Sequence, residues 1–344
     1  MKKYLLPETG RFYKANLHCH SNWSDGNLSP EELKRIYKEQ GYSVLSITDH
    51  ESIFDHTHMN DEDFLLIPGY EKELNSVADD WEDVITTHLC IYPKKKGVFD
   101  NICFDPDFVH PKFRWMHTPE LKARVTYVGE PYKSCYGVEH INHFFEEAQK
   151  RDYFITLNHP WWNQAPMEDF LQFKGMSAME ILNFSSSRGG MDEYDERYYD
   201  FLLRKGNRIR CIAADDNHNS TLLNMDHPYF DSFGGYTMIK AEELTHEAIM
   251  DALFKGNTYA SGGPEIKELY YEDGRVHIET SKAVTIVLSS GNRYTRSARK
   301  SPEEGVTSAD FDVRPVKGYF RITVTDQFGR KAYTNAYFPD EYLK

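Results

Sequence analysis

No apolar run in this 344-residue chain approaches the length needed to cross a bilayer. The opening Met1-Lys2-Lys3-Tyr4-Leu5-Leu6 meets Pro7-Glu8-Thr9-Gly10 too soon to make a secretory apolar segment. Cysteine is scarce: Cys19, Cys90, Cys103, Cys135 and Cys211 are odd in number and never stand at Cys-x-x-Cys spacing. That argues against a disulfide framework, and a reduced, cytoplasmic setting is expected. Positive charge is also short, since 40 Lys and Arg against 54 Asp and Glu give a formal charge of −14. Long nucleic acid is held largely by Lys and Arg neutralising phosphates, so it is not an expected partner. The acidity reads as a solvated surface, and bound cations would reverse the potential locally for a small anionic substrate. Also missing are a Gly-x-Ser-x-Gly elbow, a Gly-x-x-x-x-Gly-Lys phosphate loop, a His-Glu-x-x-His pair and a dinucleotide glycine fingerprint after the first strand.

What the chain does hold is metal-type chemistry. In Asn16-Leu17-His18-Cys19-His20-Ser21-Asn22-Trp23-Ser24-Asp25-Gly26, two imidazoles and a carboxylate precede a helix start. If the run is extended, His18 and His20 share one face and Cys19 points away. Neutral imidazoles suit zinc and iron, and an added carboxylate suits manganese. Matching side chains recur where apolar runs are expected to end as strands: Asp49-His50 after Ser43–Thr48, Glu71 after 64–70, His88 after 84–87, His159 after 153–158, and Asp216-x-His218 after 209–215. Strand ends are where open α/β and barrel folds place ligands.

The ordered set His18, His20, Asp25, His50, Glu71, His159, Asp216 and His218 resembles the polymerase and histidinol phosphatase family, PHP, over roughly residues 12 to 262. Asp25 stands where some members carry a histidine, and His88 matches only as a histidine in an apolar strand. The resemblance implies a distorted seven-stranded (β/α) barrel with metals at its C-terminal mouth. It also implies a ligand set: His18, His20, Glu71 and Asp216 for one ion, Glu71 bridging to a second held by His159 and His88, and Asp25, His50 and His218 for a third.

Forty per cent apolar residues supply an ample core, and the length suits a large domain plus a small one. Ser29, Pro30 and Glu32 form a helix start, and the helix ends near Gly41. Helical patterns at 139–151 and 194–205 each precede a strand, and 178–184 reads as a further strand. Such α/β alternation predicts a parallel sheet or barrel over residues 1–264. Residues 94–135 break the rhythm and are expected to form an insertion near the mouth, with Lys94-Lys95-Lys96 as a solvated loop. A helix over 242–253, with Thr245 as its cap, closes the large domain. Beyond Gly263-Pro264 the period becomes two, which predicts a small antiparallel β-sandwich over 265–344.

The expected chemistry is that of a metal-dependent phosphoesterase acting on a small phosphorylated metabolite: a nucleotide, a sugar phosphate or an amino-alcohol phosphate. Two or three divalent ions, zinc, manganese or iron, would generate hydroxide and neutralise phosphoryl charge, with Glu71 and Asp216 at the reaction centre. His227 is a candidate acid for the leaving oxygen, and Arg188 a candidate contact for substrate phosphate or else a solvated loop residue. Asp49 would either orient a ligand imidazole or hold a turn. Trp161 and Trp162 would stack on substrate or simply pack. His56, His58, His110, His117, His140, His143, His246 and His277 lack companions at ligand spacing. The alternatives are a metal-dependent hydrolase of amides or esters, and a non-catalytic binding protein with structural metals.

Overall fold

The computed structural model describes residues 2–103, 118–119, 123, 125–130 and 135–343. Most of the expected insertion at 94–135, with His110 and His117, therefore lies outside the described residues. The ordered path begins with strands β1 (Lys3–Tyr4) and β2 (Arg11–Asn16), helix α1 (Pro30–Glu39), and strands β3 (Val44–Leu45) and β4 (Leu65–Leu66). Helix α1 forms where the sequence predicts it. The Ser29 side chain accepts from the Glu32 amide while the Glu32 carboxylate accepts from the Ser29 amide, satisfying two donors that the first turn would leave unpaired. Leu33, Ile36 and Tyr37 form its buried face, and Gly41 past its end adopts φ +76°.

Strands β5 (Tyr70–Asn75), β6 (Thr86–Pro93), β7 (Asp100–Ile102), β8 (Thr126–Val128), β9 (Tyr153–Leu157), β10 (Ala178–Asn183) and β11 (Arg210–Ala214) follow, with α2 (Val138–Gln149) before β9 and α3 (Glu196–Arg204) before β11. Next come β12 (Tyr236–Ala241), α4 (His246–Lys255) and β13 (Thr258–Ser261), with Thr245 capping α4 through its hydroxyl. The parallel pairs are β2/β3, β3/β4, β9/β10 and β10/β11; β7 and β8 pair in parallel as a separate ribbon.

The expected all-parallel alternation is corrected here, because the sheets are mixed. Strand β6 runs antiparallel to both β5 and β9, and β12 runs antiparallel to β2 and β13. The cause between β5 and β6 is length: residues 76–85 hold only one short 3₁₀ turn, too little chain for a parallel crossover. The two large sheets meet at single bridges, Cys19 to Asn217 and His50 to Glu71.

The remaining strands, β14 (Ile266–Glu272), β15 (Arg275–Ala283), β16 (Thr285–Ser290), β17 (Arg296–Arg299), β18 (Val306–Asp312), β19 (Phe320–Thr325) and β20 (Lys331–Thr334), are all antiparallel. Strands β15 and β16 alternate buried with more exposed side chains, and Ile278, Leu288, Phe311, Phe320 and Ile322 fill the space between the two layers. One layer is β1-β14-β15-β18. The other is continuous with the larger part of the molecule, since β20 pairs with β13 as well as with β19. Buried Arg321 of β19 also reaches Asp200 of α3 at 2.8 and 2.9 Å. No helix among the described residues is long and apolar enough to cross a membrane.

Candidate metal centre

Turns leaving the strands carry the donors inward. After β2 the chain stays extended through His18 and His20, whose Nε2 atoms lie 3.2 Å apart. The loop that follows is closed by Asp49, which accepts from the Ser21 amide at 2.8 Å and from the Ser21 and Ser24 hydroxyls at 2.6 Å each. Of its two expected roles, Asp49 thus takes that of turn holder. Gly26 completes the loop because a Cβ there would stand 2.2 Å from the His20 carbonyl oxygen. Three further turns pass through left-handed backbone at non-glycine residues: Glu51 (φ +66°), His159 (φ +26°) and Asp216 (φ +55°). Such conformations persist only where surrounding contacts enforce them, and they concentrate at functional sites.

Two expected placements are corrected by the strand directions. Glu71 is the second residue of β5 and His88 the third of β6, so both lie near strand starts and not at the ends. Because β6 is antiparallel to β9, its beginning lies beside the end of β9. The His88 carbonyl accepts from the Asn158 amide, and His88 and His159 reach the same carboxylate oxygen.

The donors converge in three groups, each with its candidate ligand atoms within 4.8 Å of one another: His18, His20, Glu71 and Asp216; Glu71, His88 and His159; and His20, Asp25, His50 and His218. Glu71 Oε1 stands 3.1 Å from His18 Nε2, 3.2 Å from His88 Nδ1 and 3.3 Å from His159 Nε2. Asp216 Oδ1 is 3.2 Å from His18 Nε2 and 3.1 Å from His20 Nε2. Asp25 Oδ1 lies 3.4 Å from Nε2 of both His50 and His218 and 3.6 Å from His20 Nδ1. His20 belongs to two groups, a sharing that spacing along the chain did not reveal.

The chemistry of this donor set fits divalent cations. Because His18 Nδ1 lies 2.8 Å from Glu180 Oε1, its proton belongs there and Nε2 carries the lone pair. That nitrogen faces Glu71, Asp216 and a second imidazole nitrogen, so the cluster needs positive charge among its acceptors, from a cation or from ring protons. The electrostatics point the same way. Burial alone would lower the His18 pKa, but Asp216, Glu71 and Glu180 overcome it and hold it well above the usual imidazole value. Burial alone would raise Glu71 and Asp25; the facing imidazoles, His18 and His88 for Glu71 and His50 and His218 for Asp25, hold both carboxyls below their usual range.

A cavity of about 630 Å³ opens over the groups and is also lined by Trp162, Arg188, Ser220 and Tyr229. Arg188 donates through Nη1 to Asp231 and through Nη2 to Ser220 Oγ at 2.9 Å. Its Nε is buried and has no hydrogen-bond partner. The Trp162 ring packs on His88 and His159, with centroids 5.1 and 5.0 Å away, whereas Trp161 is half exposed. His227 is brought to none of the three groups: it lies exposed on the 219–231 loop, its Nδ1 accepting from the Tyr229 amide. A fourth carboxylate–imidazole group, Glu268, His277 and Glu279, lies partly exposed on the C-terminal layer, away from this cavity.

No protein-family model matches the chain. Among curated proteins, a 40-residue stretch is 52% identical to a 5'-3' exoribonuclease of Haemophilus influenzae (strain ATCC 51907 / DSM 11121 / KW20 / Rd), covering 12% of this chain and 15% of that protein's length. Among solved structures, the chain is similar to a two-domain protein from Bacteroides vulgatus ATCC 8482 that contains a predicted PHP-like metal-dependent phosphoesterase. The TM-score is 0.45 at 15% identity, over 97% of this chain and 98% of that one. A protein from Bifidobacterium adolescentis ATCC 15703, described as a metal-dependent phosphoesterase, gives 0.33 at 14% identity over 62% and 89%. An amidohydrolase from Chromobacterium violaceum with bound sulfate and no metal is a further neighbour, at 0.35 and 14% identity over 59% and 87%.

Several residues of this centre escape sequence reasoning. Glu180 reaches His18 Nδ1 and accepts from the His159 amide. Glu73 Oε1 lies 3.5 Å from His88 Nε2 and 3.1 Å from His50 Nδ1, which is also 3.2 Å from Glu71 Oε2. Asn158 donates to Glu71 Oε1 at 2.8 Å. Asp215 accepts from the amides of Phe233, Gly234 and Gly235 and from Tyr37, and burial still pushes its pKa up to about 7. The available signal was a lone carboxylate inside an apolar strand, as Glu180 is in Ala178–Asn183.

Proposed function

We propose that this chain is a hydrolase that cleaves a phosphate ester of a small metabolite, a nucleotide, sugar phosphate or amino-alcohol phosphate, with two or three divalent ions of zinc, manganese or iron. The observation that carries the reading is the sharing of Glu71 between two donor groups that open into one cavity with Arg188. His18, His20, Glu71 and Asp216 would hold one ion; Glu71, His88 and His159 a second; and His20, Asp25, His50 and His218 a third. Clustered ions of this kind supply hydroxide at neutral pH and Lewis acidity toward phosphoryl oxygens.

The protein's own groups prepare the site for that chemistry. Glu180 fixes which nitrogen of His18 faces inward. Arg188 keeps donors beyond the two already engaged, and these would meet a phosphate oxygen of the substrate. Trp162 covers the His88 and His159 rings and restricts water on that side. His227 lies outside the cavity lining and receives no step in this scheme. The bridged sheets would form the distorted barrel, and the five free cysteines suit a reducing, cytoplasmic setting.

The test is to purify the chain, measure its metal by elemental analysis, and assay phosphomonoesters, phosphodiesters and amides with added manganese, iron or zinc. Phosphoester turnover that depends on metal is expected. Amide hydrolysis with no phosphoester turnover would end the proposal.

A further inference from the structure

Arg188 and His218 belong to different parts of the site, one a candidate anion contact and the other a candidate metal donor. Both are tied to the same atom. Oδ2 of Asp231 accepts from the His218 amide at 2.8 Å, from the Asn219 amide at 3.1 Å and from Arg188 Nη1. Asp231 is sealed from solvent, and its other oxygen has no hydrogen-bond partner. The second donor of Arg188 goes to Ser220, on the same turn. Asn219 in that turn is left-handed at φ +55°, a conformation that needs external contacts to persist.

We propose that Asp231 is a positioning residue that sets the phosphate-binding arginine and the third metal position as one unit. A single buried carboxylate oxygen fixes the backbone from which the His218 imidazole projects and also the head of Arg188. Charge-assisted hydrogen bonds of this kind are stronger than neutral ones, so the turn and the arginine hold each other in place. Arg188 thereby arrives at a substrate already oriented, and the metal and anion subsites keep a fixed separation. The inference rests on the metal-hydrolase reading above.

Asp231→Asn and Asp231→Ala, each in the full chain, separate the two functions of that oxygen. The asparagine oxygen still accepts from the two amides but offers Arg188 no charge. The alanine variant loses both contacts. Three measurements apply: metal per chain after dialysis against limiting manganese, binding of inorganic phosphate to the metal-loaded protein by titration calorimetry, and far-ultraviolet circular dichroism. The asparagine variant is expected to keep its metal and to bind phosphate on the order of tenfold more weakly. The alanine variant is expected to lose, in addition, the metal equivalent that dialysis removes most readily. If the alanine variant does not fold, the asparagine variant decides alone. Phosphate affinity equal to wild type in the asparagine variant overturns the inference, as does loss of as much metal from that variant as from the alanine one. A wild-type chain that takes up no metal ends the functional reading instead, so the two failures are distinct.

Discussion

His18 Nδ1 and Glu180 Oε1 stand 2.8 Å apart, with both side chains sealed from solvent. The carboxylate holds the imidazole proton on the far side of the ring and leaves Nε2 free for a cation. Outer partners of this type typically contribute about 10–100-fold to metal affinity. Glu180→Ala should weaken metal binding by that factor in a chelator competition. Glu180→Gln should lose less, because its carboxamide oxygen still accepts the same proton. Equal affinity in wild type and Glu180→Ala would refute the orienting role.

His20 sits in two donor groups and His88 in one. His20→Ala should therefore release more metal per chain than His88→Ala, and Asp216→Ala should also strip metal while the circular dichroism spectrum stays that of a folded chain. Since outer partners alone cost about 10–100-fold, loss of His20 or Asp216 should lower turnover by on the order of a hundredfold or more. Full activity in either variant would remove that residue from the ligand set.

Arg188→Ala tests the anion contact separately from the metals. If the guanidinium meets a substrate phosphate equally in the ground and transition states, KM rises on the order of tenfold while kcat changes little. An unchanged KM would leave Arg188 as a structural partner of Asp231 and Ser220 alone.

Asp195 predicts a pH effect on stability. Its carboxylate accepts from the Trp161 amide at 3.2 Å, and burial, only partly opposed by His159, pushes its pKa up to about 8. The folded chain thus holds a proton that the unfolded chain releases near pH 4. That contribution to stability is complete below about pH 4 and is lost as pH rises toward 8. Asp195→Asn keeps an oxygen for the Trp161 amide and cannot ionise. Its melting temperature should exceed that of wild type by about 3 °C or more at pH 8, with a much smaller gap at pH 5. A gap of the same size at both pH values would falsify the assignment.

The candidate donors were legible because they follow strands at short spacing: His18 and His20 come just after β2, and Asp216 and His218 just after β11. Where the chain reverses, that logic slips. Glu71 and His88 were expected to end strands and instead begin them, because no helix separates β5 from β6. Strands β17 and β18 carry little pattern of their own. Arg296–Arg299 has no buried side chain, and Val306–Asp312 reads as polar until its alternate residues meet the opposite layer. Glu180, Glu73 and Asp231 were hidden differently: their partners lie 162, 23 and 43 residues away or arrive through a backbone amide, so nothing local marks them.

The pairing of β20 with β13 carries a practical consequence for anyone dissecting the molecule. A cut after residue 264 would leave Thr258–Ser261 as a bare edge, its peptide groups open to any passing extended chain. The same cut would strip Arg321 from Asp200. A fragment trimmed to the portion that carries the candidate donors would consequently be adhesive, so solubility and oligomer size measured on it would describe the exposed edge and not the parent protein.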